Sequence, residues 1–379
     1  MKTARTYGPE TPSGCHPRDI EAVASCVSAG AARRDANPTF PEEPFRALAT
    51  SGALAMPVPD PINGEGRRSS FGDEWRLLRT VARADGSVAR ILDGHFNGVE
   101  RVAVLAPEPL RSRELEAIAA GELLLGVWGA DPIPGEGEPA RLIESEDGVS
   151  ISGVKTFCSG STGLDRALVL ARGADGAPGP PLVAYVDLGE GVEVDRRWFK
   201  GSGMRSSESH RVIFDETPVL AVLGQPGELV KEPYFSRDAI RTAATWAGIA
   251  DAAVDSALEI LAAKSASREP DDIVSLAAGK MLTARGTIDR WFEHAARRAD
   301  ADPEASLSDF ATQLRVAVAS ACREILDEAA RAVGSHPFAT SGKLDRSRRD
   351  LELFLLQHRL EPALARRGRQ AIMDQGNSQ

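Results

Sequence analysis

The chain changes texture twice along its length, and that alternation limits the folds open to it more than any single motif does. From residue 20 to about 121, alanine, arginine, leucine and glutamate dominate, and apolar residues recur three or four apart in segments 74–84 and 87–96. That spacing predicts amphipathic helices. Between about 121 and 227, short β-rich runs at 149–152, 167–170, 182–186 and 211–214 alternate with Gly/Pro/Asp turns such as DGAPGPP. They predict a compact antiparallel β unit. Helical texture then returns, with alanine-rich runs at 239–266, 273–298, 307–332 and 348–363 that predict a four-helix bundle. The expected domains are therefore an N-terminal helical domain at 1–121, a central β domain at 122–232 and a C-terminal four-helix bundle at 233–379. Helices, then sheet, then helices is an uncommon order, so the expected class is α+β and multidomain.

Charge narrows the function. The chain carries 55 acidic against 45 basic side chains, a net charge of -10. It offers no general basic surface for phosphate backbones or anionic membranes, so neither nucleic acid nor membrane is expected as a partner. The most apolar stretch, 117–127, is interrupted by Gly121 and Glu122 and falls well short of the roughly 20 residues of a membrane span. Cys15, Cys26, Cys158 and Cys322 are scattered without C-x-x-C spacing, and the N-terminal residues lack the apolar core of a signal peptide. A reducing cytoplasm is the expected compartment. The six histidines show no ligand spacing, so no metal is expected, and no P-loop, G-x-G-x-x-G, H-E-x-x-H or G-x-S-x-G occurs. What remains is a small-molecule enzyme.

Three longer patterns occur in order. The first is DGVSISGVKTFCSGSTGLDRALVLAR (147–172), the second WFKGSGMRSSESHRVIFDETPV (198–219) and the third RAVGSHPFATSGKLDRSRRD (331–350). With the helix–sheet–helix order, they resemble the acyl-CoA dehydrogenase superfamily from about residue 40 to 366. The resemblance implies that fold and a flavin cofactor, FAD in the first instance. It puts Phe157 where the family places a tryptophan against the isoalloxazine ring, and Ser159 where a hydroxyl meets the flavin N5 edge. Trp128 falls where members also touch the flavin. Ser206, Ser207 and Ser209 face a flavin phosphate or substrate, or are ordinary turn hydroxyls. Gly334 and Ser335 fall at the junction where a glycine-rich helix end approaches the pyrophosphate.

Departures from the family pattern are equally specific. The family's second and last junction glycines are Ser335 and Pro337 here, and proline has no N–H to offer. Arg268 stands where an arginine contacts the FAD pyrophosphate, but no F-G pair follows and Asp272 replaces a glutamine. These changes put FMN beside FAD as the candidate cofactor. The family's catalytic glutamate, eight residues beyond Asp350, is His358. Asp238 lies near the position where some members carry the base instead.

The resemblance thus implies α,β-dehydrogenation of an acyl thioester, a CH–CH oxidation with hydride transfer to flavin N5. The first alternative is a flavin monooxygenase of the same fold using His358, and the second a flavin-free scaffold. The expected partners are an acyl-thioester or other small-molecule substrate, a flavin reductase or electron-transfer protein, and further copies of the chain in a homodimer or homotetramer joined through the C-terminal bundle.

Overall fold

A computed structural model describes residues 20–59, 69–146, 148–174, 179–266, 269–357 and 359–377. The N-terminal third is helical: α1 (Ile20–Ser28), α2 (Ala31–Ala36), α3 (Glu42–Thr50), α4 (Phe71–Ala84), α5 (Gly86–Leu105) and α6 (Leu110–Ala119). Local sequence explains the two long ones. Ser70 accepts a hydrogen bond from the Asp73 N–H at the start of α4, and Asp85 accepts from Ser87 and Val88 at the start of α5. Helix α4 buries Phe71, Trp75, Leu78 and Val81, spaced three or four apart along one face.

Among the described residues seven strands follow: β1 (Leu125–Trp128), β2 (Arg141–Ser145), β3 (Gly148–Cys158), β4 (Arg166–Ala171), β5 (Leu182–Asp187), β6 (Val192–Asp195) and β7 (His210–Leu223). Their order is β1-β4-β5-β7-β3-β2, with β6 added against β7. The expectation of a wholly antiparallel unit fails at one pair, because β1 runs parallel to β4. The chain traverses β2 and β3 between those two strands, and that excursion is the crossover a parallel pair requires.

The C-terminal part comprises α7 (Tyr234–Lys264), α8 (Asp272–Ala301), α9 (Ser308–Val333), the short α10 (His336–Ala339), α11 (Lys343–Phe354) and α12 (Glu361–Asn377). Helix α7 is the hub. It buries Ala243, Ala244, Ala247, Ala250, Ala253 and Ala257, and it is enclosed by α4, α5, α9 and α11. Small side chains permit this approach. A Cβ on Gly248 would lie 2.1 Å from the Arg79 carbonyl oxygen of α4. The helix expected at 348–363 is in fact two, since α11 ends at Phe354 and α12 begins at Glu361. Pro362 explains the break, because proline is tolerated in a helix's first turn but not in its interior.

A buried ionic lattice joins the N-terminal helices to α7. Arg241 donates to Glu74 at 2.7 Å, to Glu100 at 2.8 Å and to Asp238 at 3.2 Å. Arg101 donates to Asp238 at 2.5 Å.

Candidate active site

The first motif ends in a break of the sheet pattern. Lys155 pairs with Val212 and Cys158 with His210, so β3 carries one more residue than β7 across that interval. The extra residue makes a bulge. Phe157 absorbs it with φ 51°, the left-handed region that a bulky side chain rarely occupies. Thr156 and Cys158 are buried on either side, while Phe157 is 55% exposed. Its ring meets Trp198 edge-on with centroids 4.9 Å apart. The bulge turns Phe157 out of the core.

Ser159 follows, half-buried, and its Oγ lies 2.9 Å from Ser209 Oγ, which in turn lies 2.7 Å from Ser207 Oγ. This line of hydroxyls fixes the orientation of the outermost one. Backbone contacts support it, with the Gly160 N–H donating to Ser207 O and Ser161 N–H to Glu208 O. Ser206 is committed elsewhere, donating to Arg34 O at 2.7 Å.

The 204–208 loop, which carries Ser206 and Ser207 and leads into Ser209, has two further residues in the left-handed region, Met204 at φ 52° and Glu208 at 49°. The third motif holds it in place. Asp350 Oδ1 accepts from the Met204 N–H at 2.5 Å, and Arg349 donates to Ser202 O at 2.5 Å while gripping Asp35 and Asp345. Gly203 lies so close to α11 that a Cβ there would fall 2.0 Å from the Arg349 carbonyl oxygen. The second and third motifs are therefore two sides of one contact. Burial pushes Asp350 up to about 7, opposed by the Met204 N–H.

Glu208 ends on the other side of its ordinary value. Desolvation would raise it, but hydrogen bonds from His210 and Thr162, with Arg196 nearby, hold it below the usual carboxylate range. Lys155, buried in β3, donates to Gly129 O at 2.9 Å and to Asp131 at 2.7 Å, and so ties the bulged strand to the segment after β1.

Other residues singled out in the sequence lie elsewhere. Trp128 is sealed in the core, 1% exposed, and donates through Nε1 to Ser159 O at 3.1 Å. It braces the serine from behind instead of presenting a face to a ligand. Asp238 sits in the interhelical lattice with Arg101 on one oxygen and Arg241 on the other. A carboxylate so engaged anchors helices, and burial pushes Asp238 up to about 7 against the pull of Arg101 and Arg241. Gly334 caps the C-terminus of α9, where Lys264 already donates to Val333 O at 2.7 Å, and Ser335 begins only a four-residue helix. That end presents carbonyl oxygens and the negative end of the helix dipole, the opposite of a pyrophosphate cradle. Arg268 and His358 lie outside the described residues.

Sequence reading missed Trp198, Asp350 and Lys155 as parts of this site. Each belongs to a quoted motif, but no local pattern reveals that the motifs touch.

The fold and the three interlocked motifs define a class: the architecture is that of an acyl-CoA dehydrogenase-like protein. Residues 21–122 match the acyl-CoA dehydrogenase N-terminal domain. Within that class the chain is 30% identical over 257 residues to the amino sugar nitrososynthase RubN8 of Streptomyces rubradiris, covering 63% of this chain and 59% of RubN8. It is 26% identical to the probable FMNH2-dependent monooxygenase SfnC of Pseudomonas putida, covering 91% of both chains. The FMN-bound crystal structure of TdsC from Paenibacillus sp. A11-2 superposes with a TM-score of 0.78 at 22% identity, covering 91% of this chain and 94% of TdsC.

Proposed function

We propose that this protein is an FMN-dependent monooxygenase that receives reduced flavin from a separate reductase and oxygenates a nitrogen or sulfur atom of a small molecule. The similarity to an FMNH2-dependent monooxygenase over 91% of both chains carries the reading. The nitrososynthase relative and the dibenzothiophene monooxygenase TdsC support the two choices of heteroatom. Dehydrogenation of an acyl thioester has weaker support, because these relatives are a nitrososynthase and flavin monooxygenases.

The site's donor set fits an isoalloxazine ring. Phe157 and Trp198 offer an exposed aromatic surface, and Ser159 offers a hydroxyl oriented by Ser209. A ring that is apolar on its faces and polar on its edges matches that combination. The carbonyl end at Gly334 does not suit the second phosphate of FAD, which favours FMN. Reduced FMN, when bound, supplies the two electrons that activate molecular oxygen, one atom of which goes to the substrate and the other to water. Phe157 orients the ring, Ser159 hydrogen-bonds its edge, and Asp350 keeps the serine loop in register. His358 is the residue this reading nominates for proton transfer, since imidazole titrates near neutral pH.

The test combines the purified chain with a flavin reductase, NADH and FMN. Oxygen-dependent product formation from amine or thioether substrates is the expected result, and it should be lost in His358→Ala. Anaerobic bleaching of oxidised flavin by acyl thioesters, without oxygenation activity, would overturn the proposal in favour of dehydrogenation.

A further inference from the structure

A groove of about 1670 Å³ runs between α2, the 196–210 segment and the start of α11. Its walls carry Arg196, Lys200, Arg205, Lys343 and Arg346. None of these five side chains makes an ion pair or hydrogen bond among the described residues. Other cations in the groove are already committed: Arg33 to Glu43, Arg34 to Asp85, and Arg349 to Asp35 and Asp345. In a chain of net charge -10, so many cations without a salt-bridge partner around one concave surface mark it as electrostatically distinct.

Two further observations concern the same walls. Gly342 and Lys343, which open the 12-residue helix α11, line the groove, and no side chain caps that end among the described residues. Its free N–H groups and the positive end of the helix dipole therefore face the groove. His210 also lines it, with its side chain 8% exposed. Its Nε2 lies 3.3 Å from Glu208 Oε2, while Nδ1 is buried without a partner among the described residues. Glu208, the carboxylate beside it, already accepts from Thr162 at 2.7 Å.

We propose that this groove binds the phosphate or diphosphate group of a nucleotide ligand. Arginine forks, lysine ammonium groups and helix N–H donors are the groups that recognise phosphate oxygens. The groove exceeds the roughly 300–1,000 Å³ of common small-molecule sites, so it accommodates a nucleotide and not merely an isolated anion. The phosphate has two sources, the 5′-phosphate of FMN or a nucleotide-linked substrate, and both present the same chemistry to these residues.

Calorimetric titration with inorganic pyrophosphate tests the groove without any flavin. The expected result is binding that weakens as salt is raised, and that weakens at least about tenfold in the double variant Arg205→Gln/Arg346→Gln. Arg205→Lys/Arg346→Lys should retain most of it. If the glutamine pair fails to fold, the exposed pair Lys200→Gln/Lys343→Gln serves the same comparison. Parallel titrations identify the source. A loss for FMN with riboflavin unchanged assigns the groove to the flavin phosphate, and a loss for thymidine diphosphate with thymidine unchanged assigns it to a nucleotide-linked substrate. Absence of pyrophosphate binding, or equal binding of all three phosphates by wild type and variant, overturns the proposal. Riboflavin affinity reports separately on the ring surface at Phe157.

Discussion

Phe157 holds a backbone conformation that costs a bulky residue on the order of 1–3 kcal/mol, and the exposed ring gains only an edge contact with Trp198. Strain persisting at an exposed aromatic side chain points to selection for the surface it makes. Asparagine tolerates the same backbone region, so Phe157→Asn should leave stability within about 1 kcal/mol while weakening flavin binding at least about tenfold. Paired denaturation and flavin-fluorescence titrations measure both quantities, and unchanged flavin affinity would remove Phe157 from the site. Ser159→Ala should weaken binding about three- to tenfold, the worth of one hydrogen bond. Ser209→Ala should do less, because that hydroxyl only orients the first. Asp350 makes a prediction in pH. Its native pKa is pushed up to about 7 by burial, whereas an unfolded aspartate titrates near 4. Between those values the native state holds a proton that the unfolded state releases, so stability falls as pH rises from about 4 to 7. Asp350→Asn should remove this contribution. Relative to wild type it should gain stability across that window, by an amount on the order of a few kcal/mol. Parallel stability curves for the two proteins would refute the assignment.

Elements meet through backbone contacts that single methyl groups would disrupt. A Cβ on Gly203 or Gly248 would fall about 2 Å from a carbonyl oxygen, in the first case of α11 and in the second of α4. Each alanine substitution should cost at least about 1–3 kcal/mol through overpacking. Their effects on the cofactor should differ, since Gly203→Ala displaces the loop that carries Ser207 and Ser209, whereas Gly248→Ala separates helices remote from it. Folded Gly203→Ala should therefore lose flavin affinity, and folded Gly248→Ala should keep it. Equal affinities in equilibrium dialysis would disconnect the loop from the site. These contacts also show where sequence reading stops. The spacing of Phe71, Trp75, Leu78 and Val81 announces α4 by itself, and the turns between strands announce the sheet. The bulge at Phe157 does not announce itself, because a period-two pattern carries no mark of an inserted residue. The pairing of Asp238 with Arg101 is invisible in sequence because the two lie 137 residues apart along the chain. Pro362, by contrast, is a readable signal that the last helix is two.

Across the whole molecule, the order of helices, sheet and helices is legible in the chain; the interlocking of the three motifs is not, because it depends on contacts between distant segments. The outer helices of the bundle also carry uncovered apolar side chains. Ile273, Leu276 and Leu282 on α8 and Ile372 and Met373 on α12 are exposed, and exposed apolar surface of this kind commonly marks an interface. Light scattering should find a dimer or tetramer, and Ile273→Lys/Leu276→Lys should shift it toward monomer; an unaltered assembly would exclude this face. The grip of Asp350 on Met204 has a consequence for how the protein is made. The two residues are 146 positions apart, so during synthesis the whole β domain emerges well before the residue that settles its serine loop. Competence to hold the cofactor is consequently a late event in biogenesis, reached only after α11 has docked, and a nascent chain arrested between β7 and that helix carries every strand of the sheet with an unfinished site.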